Sequence, residues 1–290
     1  MASLKELRNK INVIESTRKV TEAMKLVAGV KLRKSEQKAV ASREYSRELN
    51  SLLAKIRREF VEVKTELFNG REHVKTVLLV VFASDRGLCG NFNYLVSKET
   101  MRLVEELHAD GKNVRIMCVG NKILELLKKF SGNFEKMEPI VGFYRSGDTY
   151  NNAKLLAEKI VAEFMNNVVD KVILVYTRYY SAINHVVEPK EIIPLSCEPN
   201  NDKTETIFEP NAEKILQDLL PFNVAIQIYQ AALESIASEQ SSRMTSMDNA
   251  TRNAHNLLSE FKIKYNRTRQ AKITLELVEV ISGAKAISKE

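Results

Sequence analysis

The chain has 290 residues, 44% of them hydrophobic, with 44 Lys and Arg against 37 Asp and Glu for a net charge of +7. This is enough apolar material for a real core, yet no run approaches the roughly 18 apolar residues that span a bilayer. The three cysteines, Cys89, Cys118 and Cys197, are odd in number and widely spaced with no CxxC, so they neither build a zinc site nor imply an oxidising compartment. The opening MASLKELRNK lacks an apolar signal core, and the expectation is a cytosolic protein.

Charge is unevenly placed. Residues 1–60 carry 15 Lys and Arg against 7 Asp and Glu, whereas residues 61–210 carry 19 against 21. The positive field belongs to the N-terminal segment, which should meet something acidic. That segment has no proline and one glycine, Gly29, so it can be one long helix. Leu4, Leu7, Ile11, Ile14, Thr17, Thr21, Met24, Ala28 and Leu32 recur every 3 or 4 residues. A mean period of about 3.5 is that of paired, left-handed supercoiled helices.

Next comes VKTVLLVVF at 74–82, which reads as a buried strand. Helices follow near 93–109, 121–130 and 152–166, with strands at 114–120 and 171–180 and an extended stretch at 186–195. Alternation of strand and helix predicts a mostly parallel three-layer domain. The stretch 197–206 reads as a loop or linker. A second long helix follows, with seam positions from Leu219 through Phe222, Ile226 and Tyr229 to Phe261, Tyr265 and Thr268. At roughly 1.5 Å per residue the two helices would be about 80 and 100 Å long. A single stripe at such length needs a partner, so the simplest arrangement packs the two antiparallel.

Three stretches could carry function. SDRGLCGN at 84–91 follows a strand and precedes a helix, the place for a phosphate cradle. It has neither GxGxxG nor GxxxxGK[ST]. A structural turn and a partner contact through Arg86 and Leu88 stay open beside the phosphate reading. The basic N-terminal helix could bind nucleic acid, but its charges alternate in sign and its aromatics are sparse. A solvated coiled-coil face or docking on acidic protein loops are the alternatives. The third is ITLELVEVISGAKAI at 273–287. As a helix it is apolar nearly all round, with Lys272, Glu276 and Glu279 as a thin polar stripe. Such a helix is buried, and at the end of a coiled coil it must enter another protein, a membrane or a self-assembled bundle. His73, His108, His185 and His255 show no spacing that makes a catalytic or metal constellation.

Four ordered blocks resemble those of a known family: 7–34 (LRNKINVIESTRKVTEAMKLVAGVKLRK), 84–91, 239–254 (EQSSRMTSMDNATRNA) and 265–287 (YNRTRQAKITLELVEVISGAKAI). They look like the signature blocks of the gamma subunits of F-type ATP synthases. The resemblance implies an α/β fold with a long α coiled coil. Antiparallel N- and C-terminal helices form a shaft, and a three-layer Rossmann-like α/β domain stands at its foot. The implied parts are 1–70, 71–210 and 211–290. It further implies a bacterial, peripheral subunit at the cytoplasmic face of the cell membrane, present in one copy. Its implied partners are three alpha and three beta subunits, the epsilon subunit and the membrane c-ring. Neither a cofactor, a catalytic residue nor a nucleic acid is implied; a coiled-coil nucleotide- or nucleic-acid-binding protein is the alternative.

By the same resemblance Met24, Lys25, Arg33, Asp85, Arg86 and Cys89 are contacts to beta near the shaft–foot junction. Arg269, Gln270, Thr274 and Glu276 are contacts higher in the ring. Leu277, Val280, Ile281, Ala284 and Ile287 form a tip turning in an apolar sleeve. Phe208 and Glu209 rest on the membrane ring, although Thr206 and Ile207 stand where the family has aromatics. The chloroplast form's closely spaced cysteine pair is not present, so thiol control is not expected.

Overall fold

The computed structural model describes residues 3–59, 65–128, 134–137, 139–140, 142–144, 148–195 and 212–287. In chain order the elements are α1 (Leu4–Glu59), α2 (Glu66–Asn69), β1 (Thr76–Phe82), α3 (Phe92–Ala109), β2 (Asn113–Val119), α4 (Lys122–Leu127), β3 (Glu135–Lys136), α5 (Thr149–Met165), β4 (Lys171–Tyr179), β5 (His185–Ile193) and α6 (Ala212–Ile287). The chain packs as two units, Met1–Val27 with Met244–Glu290, and Ala28–Arg243.

The larger unit holds a five-stranded sheet in the order β3-β2-β1-β4-β5. β1 pairs in parallel with both β2 and β4, and β5 closes one edge antiparallel to β4. The run VLLVVF is buried along its whole length, because a central parallel strand is covered on both faces. Val77, Leu79 and Val81 pack with residues of α3 and α4. Leu78, Val80 and Phe82 pack with α5 and with Leu53, Ile56, Val224 and Ile228 of α1 and α6. The domain is three-layered as expected, and the long helices themselves supply part of one layer. β3 and α2, of 2 and 4 residues, are too short for periodicity to reveal.

One ion pair fixes the sheet's amino end. Asp170 accepts from Arg71 at 2.8 Å and from the backbone amides of Lys75 and Thr76, both at 2.9 Å. Arg71 also donates to the carbonyl of Phe164 at 2.6 Å and lies 4.6 Å over its ring. Burial pushes the Asp170 carboxyl up, but Arg71 and the two amides outweigh it and hold the group below its ordinary value.

In the larger unit the inward stripe of α1 runs Ala28, Leu32, Ser35, Ala39, Ser42, Ser46, Leu49, Leu53, Ile56, alternating steps of 4 and 3. It continues well past Leu32 because small Ser and Ala side chains hold seam positions there. Antiparallel pairing shows in Arg43 with Glu234 and Asn50 with Asn223, each at 2.9 Å. In the smaller unit Lys25 meets Asp248 at 2.6 Å and Thr21 meets Thr251 at 2.8 Å, in the same antiparallel sense. There the seam departs from expectation at one place: Thr17 is exposed and bonds back to Val13, while Arg18 is half-buried. A stripe of period 3.5 cannot hold both neighbours, and the long Arg stem covers more apolar surface.

α6 starts nine residues before Pro221, which lies inside it. An internal proline removes a backbone bond and costs about 3 kcal/mol. The turns preceding it bury Leu216 and Leu220 against the sheet, worth roughly 1.5–3 kcal/mol each, and burial wins over propensity.

Candidate functional site

The β1–α3 loop is built from within. Asn93, on the first turn of α3, accepts from the Ser84 amide at 3.0 Å and donates to the Ser84 hydroxyl at 2.8 Å and to Cys89 Sγ at 3.3 Å. Ser84 Oγ donates to the Arg86 carbonyl at 2.7 Å. Leu88 takes a left-handed φ of 64°, which turns its side chain out to 63% exposure while Cys89 turns in to 1%. Burial pushes the Cys89 thiol up, so it is an inert part of the knot. Behind the loop, Gly120 has φ +102°, and a Cβ there would stand 2.2 Å from the Ala83 carbonyl oxygen.

The loop's polarity is opposite to that of a phosphate cradle. Its carbonyls at Arg86 and Gly87 point to one nitrogen of Arg243 on α6, 3.2 Å from each. The other terminal nitrogen pairs with Glu239 at 2.6 Å. An anion cradle presents N–H groups; this one presents oxygens to a guanidinium. Burial pushes the Glu239 carboxyl up, Arg243 opposes that shift, and the nearby Asp85 carboxylate adds to it. Both Asp85 oxygens are buried without a hydrogen-bond partner among the described residues. Tyr144 lies close enough for Glu239 and Asp85 to reinforce the upward shift that burial imposes on its hydroxyl.

Of the loop residues expected to contact a partner, Arg86 is exposed, Asp85 half-buried and Cys89 interior. Arg33, in the same unit, is exposed. In the other unit Met24 and Lys25 are half-buried along the seam. Lys25 first, and then Arg252 at 2.5 Å, hold the Asp248 carboxyl below its ordinary value.

From Arg269 to Ala284 every residue of α6 is exposed. Arg269, Gln270, Thr274 and Glu276 are exposed; Thr274 bonds back to the Gln270 carbonyl at 3.0 Å, and Glu276 lies 3.6 Å from Lys272. Leu277, Val280 and Ile281 are 56%, 69% and 56% exposed, and Ala284 is exposed too. The side chain of Ile287 lies outside the described residues, as do Phe208, Glu209 and the linker stretch 197–206. Sequence reasoning assigned no role to Arg243, Glu239, Asn93, Tyr144 or Gly120. Arg243 and Glu239 stand in a quoted block, but nothing in their spacing says that they face a loop some 150 positions earlier.

A family model described as ATP synthase matches residues 3–287. The ATP synthase gamma chain of Rhodospirillum rubrum is 40% identical over 306 residues, covering 99% of this chain and 100% of that one. That of Fuscovulum blasticum is 40% identical over 288 residues with the same coverage. Among solved structures, the central stalk and c-ring of the Tetrahymena thermophila mitochondrial ATP synthase matches with a TM-score of 0.61 at 25% identity, over 80% of this chain and 99% of that one. A chain of the Euglena gracilis mitochondrial ATP synthase shares the fold, with a TM-score of 0.65 at 18% identity over 98% and 94%. Identity of 40% over nearly the whole chain, with a family model that matches residues 3–287, settles the family: the chain belongs to the ATP synthase gamma chains.

Proposed function

We propose that the chain is the rotating central stalk of an F-type ATP synthase and couples ion flow through a membrane ring to nucleotide chemistry on beta subunits. The observation that carries this is the bare end of α6. Ile273, Leu275, Leu277, Val278, Val280 and Ile281 are all 45–69% exposed on one helix. Burying each large aliphatic side chain is worth roughly 1.5–3 kcal/mol, so this end belongs inside another protein. Among the described residues no helix is long and apolar enough to cross a membrane.

In this reading one copy serves three alpha and three beta subunits, with the epsilon subunit and the c-ring at the foot, on the cytoplasmic face of a bacterial membrane. The chain itself is not catalytic. Its working parts are shaft segments 1–70 and 211–290 and the foot 71–210, with Phe208 and Glu209 on the ring. Met24, Lys25, Arg33 and Arg86 meet acidic loops of beta; Asp85 stands beside that contact with its carboxylate oxygens buried, and Cys89 shapes the loop from inside. Arg269, Gln270, Thr274 and Glu276 grip beta higher up, and Leu277 to Ile287 turn in the sleeve.

The shaft acts as a differential ligand. It can bias a beta subunit only by as much as its contacts differ between that subunit's states. Moving one site from mostly closed to mostly open takes about 5.5 kcal/mol. An ion crossing the membrane supplies about 2.3 kcal/mol per 100 mV, so several ions are coupled to each step. Reconstitution with alpha and beta subunits of a bacterial ATP synthase tests the reading. The expected result is co-elution at one copy per ring with a large rise in ATP hydrolysis. Separate elution with unchanged turnover, using matched-species subunits, would sink it.

A further inference from the structure

In an open α/β sheet, ligands settle outside the carboxyl ends of the strands, where successive connections leave to opposite sides. Here that switch point lies between β1 and β4. The β1–β4 ladder ends at Val81 and Val175, while β4 runs on to Tyr179. Thr177 and Tyr179 therefore carry edge groups on the β1 side with no strand to receive them, and a buried backbone group without a partner is costly. α6 and α1 supply the partners. Ser235 Oγ accepts from the Thr177 amide at 3.3 Å, and Ser238 Oγ donates to the Thr177 carbonyl at 3.2 Å. Arg43 donates to the Tyr179 carbonyl at 2.5 Å while its Nε holds Glu234. One turn further on, Ser241 donates to the Ala182 carbonyl in the β4–β5 turn at 2.5 Å. All three serines are buried.

We propose that residues 234–243 of α6 occupy the ligand crevice of the α/β domain as an internal ligand, and that Ser235, Ser238 and Ser241 are the coupling residues that carry torque between foot and shaft. This rests on the rotor reading. The physical ground is the difference between the two kinds of contact. Apolar burial is non-directional, so it sets the register and rotation of a helix less sharply than bonds of fixed direction do. Hydrogen bonds to fixed backbone groups are directional, and three hydroxyls spaced by three residues on one helix face fix both register and rotation. Conversion of serine to alanine removes the hydroxyl and leaves the apolar packing in place, so it separates grip from fold.

The experiment compares the parent chain with Ser235→Ala/Ser238→Ala/Ser241→Ala in two assemblies. With alpha and beta subunits alone, ATP hydrolysis by the variant is expected to match the parent, because the catalytic ring meets the other parts of the shaft. In the complete enzyme in sealed vesicles, ions pumped per ATP hydrolysed should fall clearly below the parent value, although the bonds of Arg43 to the Tyr179 carbonyl and of Arg243 to the Arg86 and Gly87 carbonyls remain. A parent-like pumping ratio overturns the proposal, and so does a fall in both activities in equal proportion. If the triple variant does not assemble, Ser238→Ala alone is read by the same two assays and the same criteria. Hydrogen exchange on the full chain adds a second readout: Ser235→Ala should speed exchange of the Thr177 amide about tenfold, and unchanged protection overturns the geometry. Failure of the parent chain to stimulate hydrolysis would instead count against the rotor reading itself.

Discussion

Arg43 of α1 and Glu234 of α6 lie 2.9 Å apart, and the Glu234 side chain is 1% exposed. A carboxylate so deep is tolerable because the guanidinium stays beside it. Replacing Arg43 with methionine leaves a buried, uncompensated charge, and breaking such a pair costs about 3–5 kcal/mol. Lys190 is near enough for Glu234 to oppose the downward push of burial on its ammonium, so the loss should fall toward the lower end. The double variant Arg43→Met/Glu234→Met should recover most of it. Urea unfolding of the two single variants and the double variant measures this; equal losses in Arg43→Met and the double variant would refute the pairing argument.

Asp170 should make stability acid-sensitive. Its folded value lies below the ordinary one, so its contribution is present above the unfolded value and is lost as pH falls through the folded value. Asp170→Asn should cost about 2 kcal/mol at neutral pH, as charge-assisted bonds to Arg71 and two amides weaken. The gap between parent and variant should narrow as pH falls below the ordinary carboxylate value of about 3.9. A gap that stays constant from pH 7 to pH 2.5 in denaturant titrations would show that charge plays no part.

Two glycines of the loop region should behave oppositely. Gly120→Ala puts a methyl 2.2 Å from the Ala83 carbonyl oxygen at a φ of +102°, and should cost about 3 kcal/mol or more. At Gly87 an added Cβ meets nothing within 4 Å, so Gly87→Ala should change stability by less than about 0.5 kcal/mol. Thermal melts of the two variants side by side decide it.

These positions show what the sequence made legible. VLLVVF declared a buried strand because a run buried on both faces needs no alternation, and the 3.5 period declared the paired helices. The crevice contacts stayed hidden because Ser235, Ser238 and Ser241 look like an ordinary polar stretch until β4 is known to outrun β1. Arg243 was hidden for a related reason, since its acceptors are backbone carbonyls, which carry no residue identity. Thr17 and Arg18 were confused because an amphipathic long side chain can hold a seam position that hydropathy denies it.

Along the shaft, deleting residues 277–287 should weaken torque less than disrupting the coil within 226–268. The described residues of the tip, 277–284, are all exposed, whereas Leu233, Met247, Ala254 and Leu258 are buried and carry the pairing. Single-molecule rotation against a viscous load measures both. An equal or greater loss from the short deletion would contradict the expectation.

α6 passes through three environments in one continuous helix: enclosed on nearly all sides from Asn223 to Arg243, striped from Met247 to Thr268, and bare from Arg269 to Ala284. Isolated helices of about 12–15 residues are marginal in water. The bare end is therefore the part of the helix with the least stability of its own, and it should fray first in the unassembled chain. A partner that enclosed it would supply that order by mass action, so in the rotor reading insertion of the shaft and completion of its last turns are one thermodynamic event.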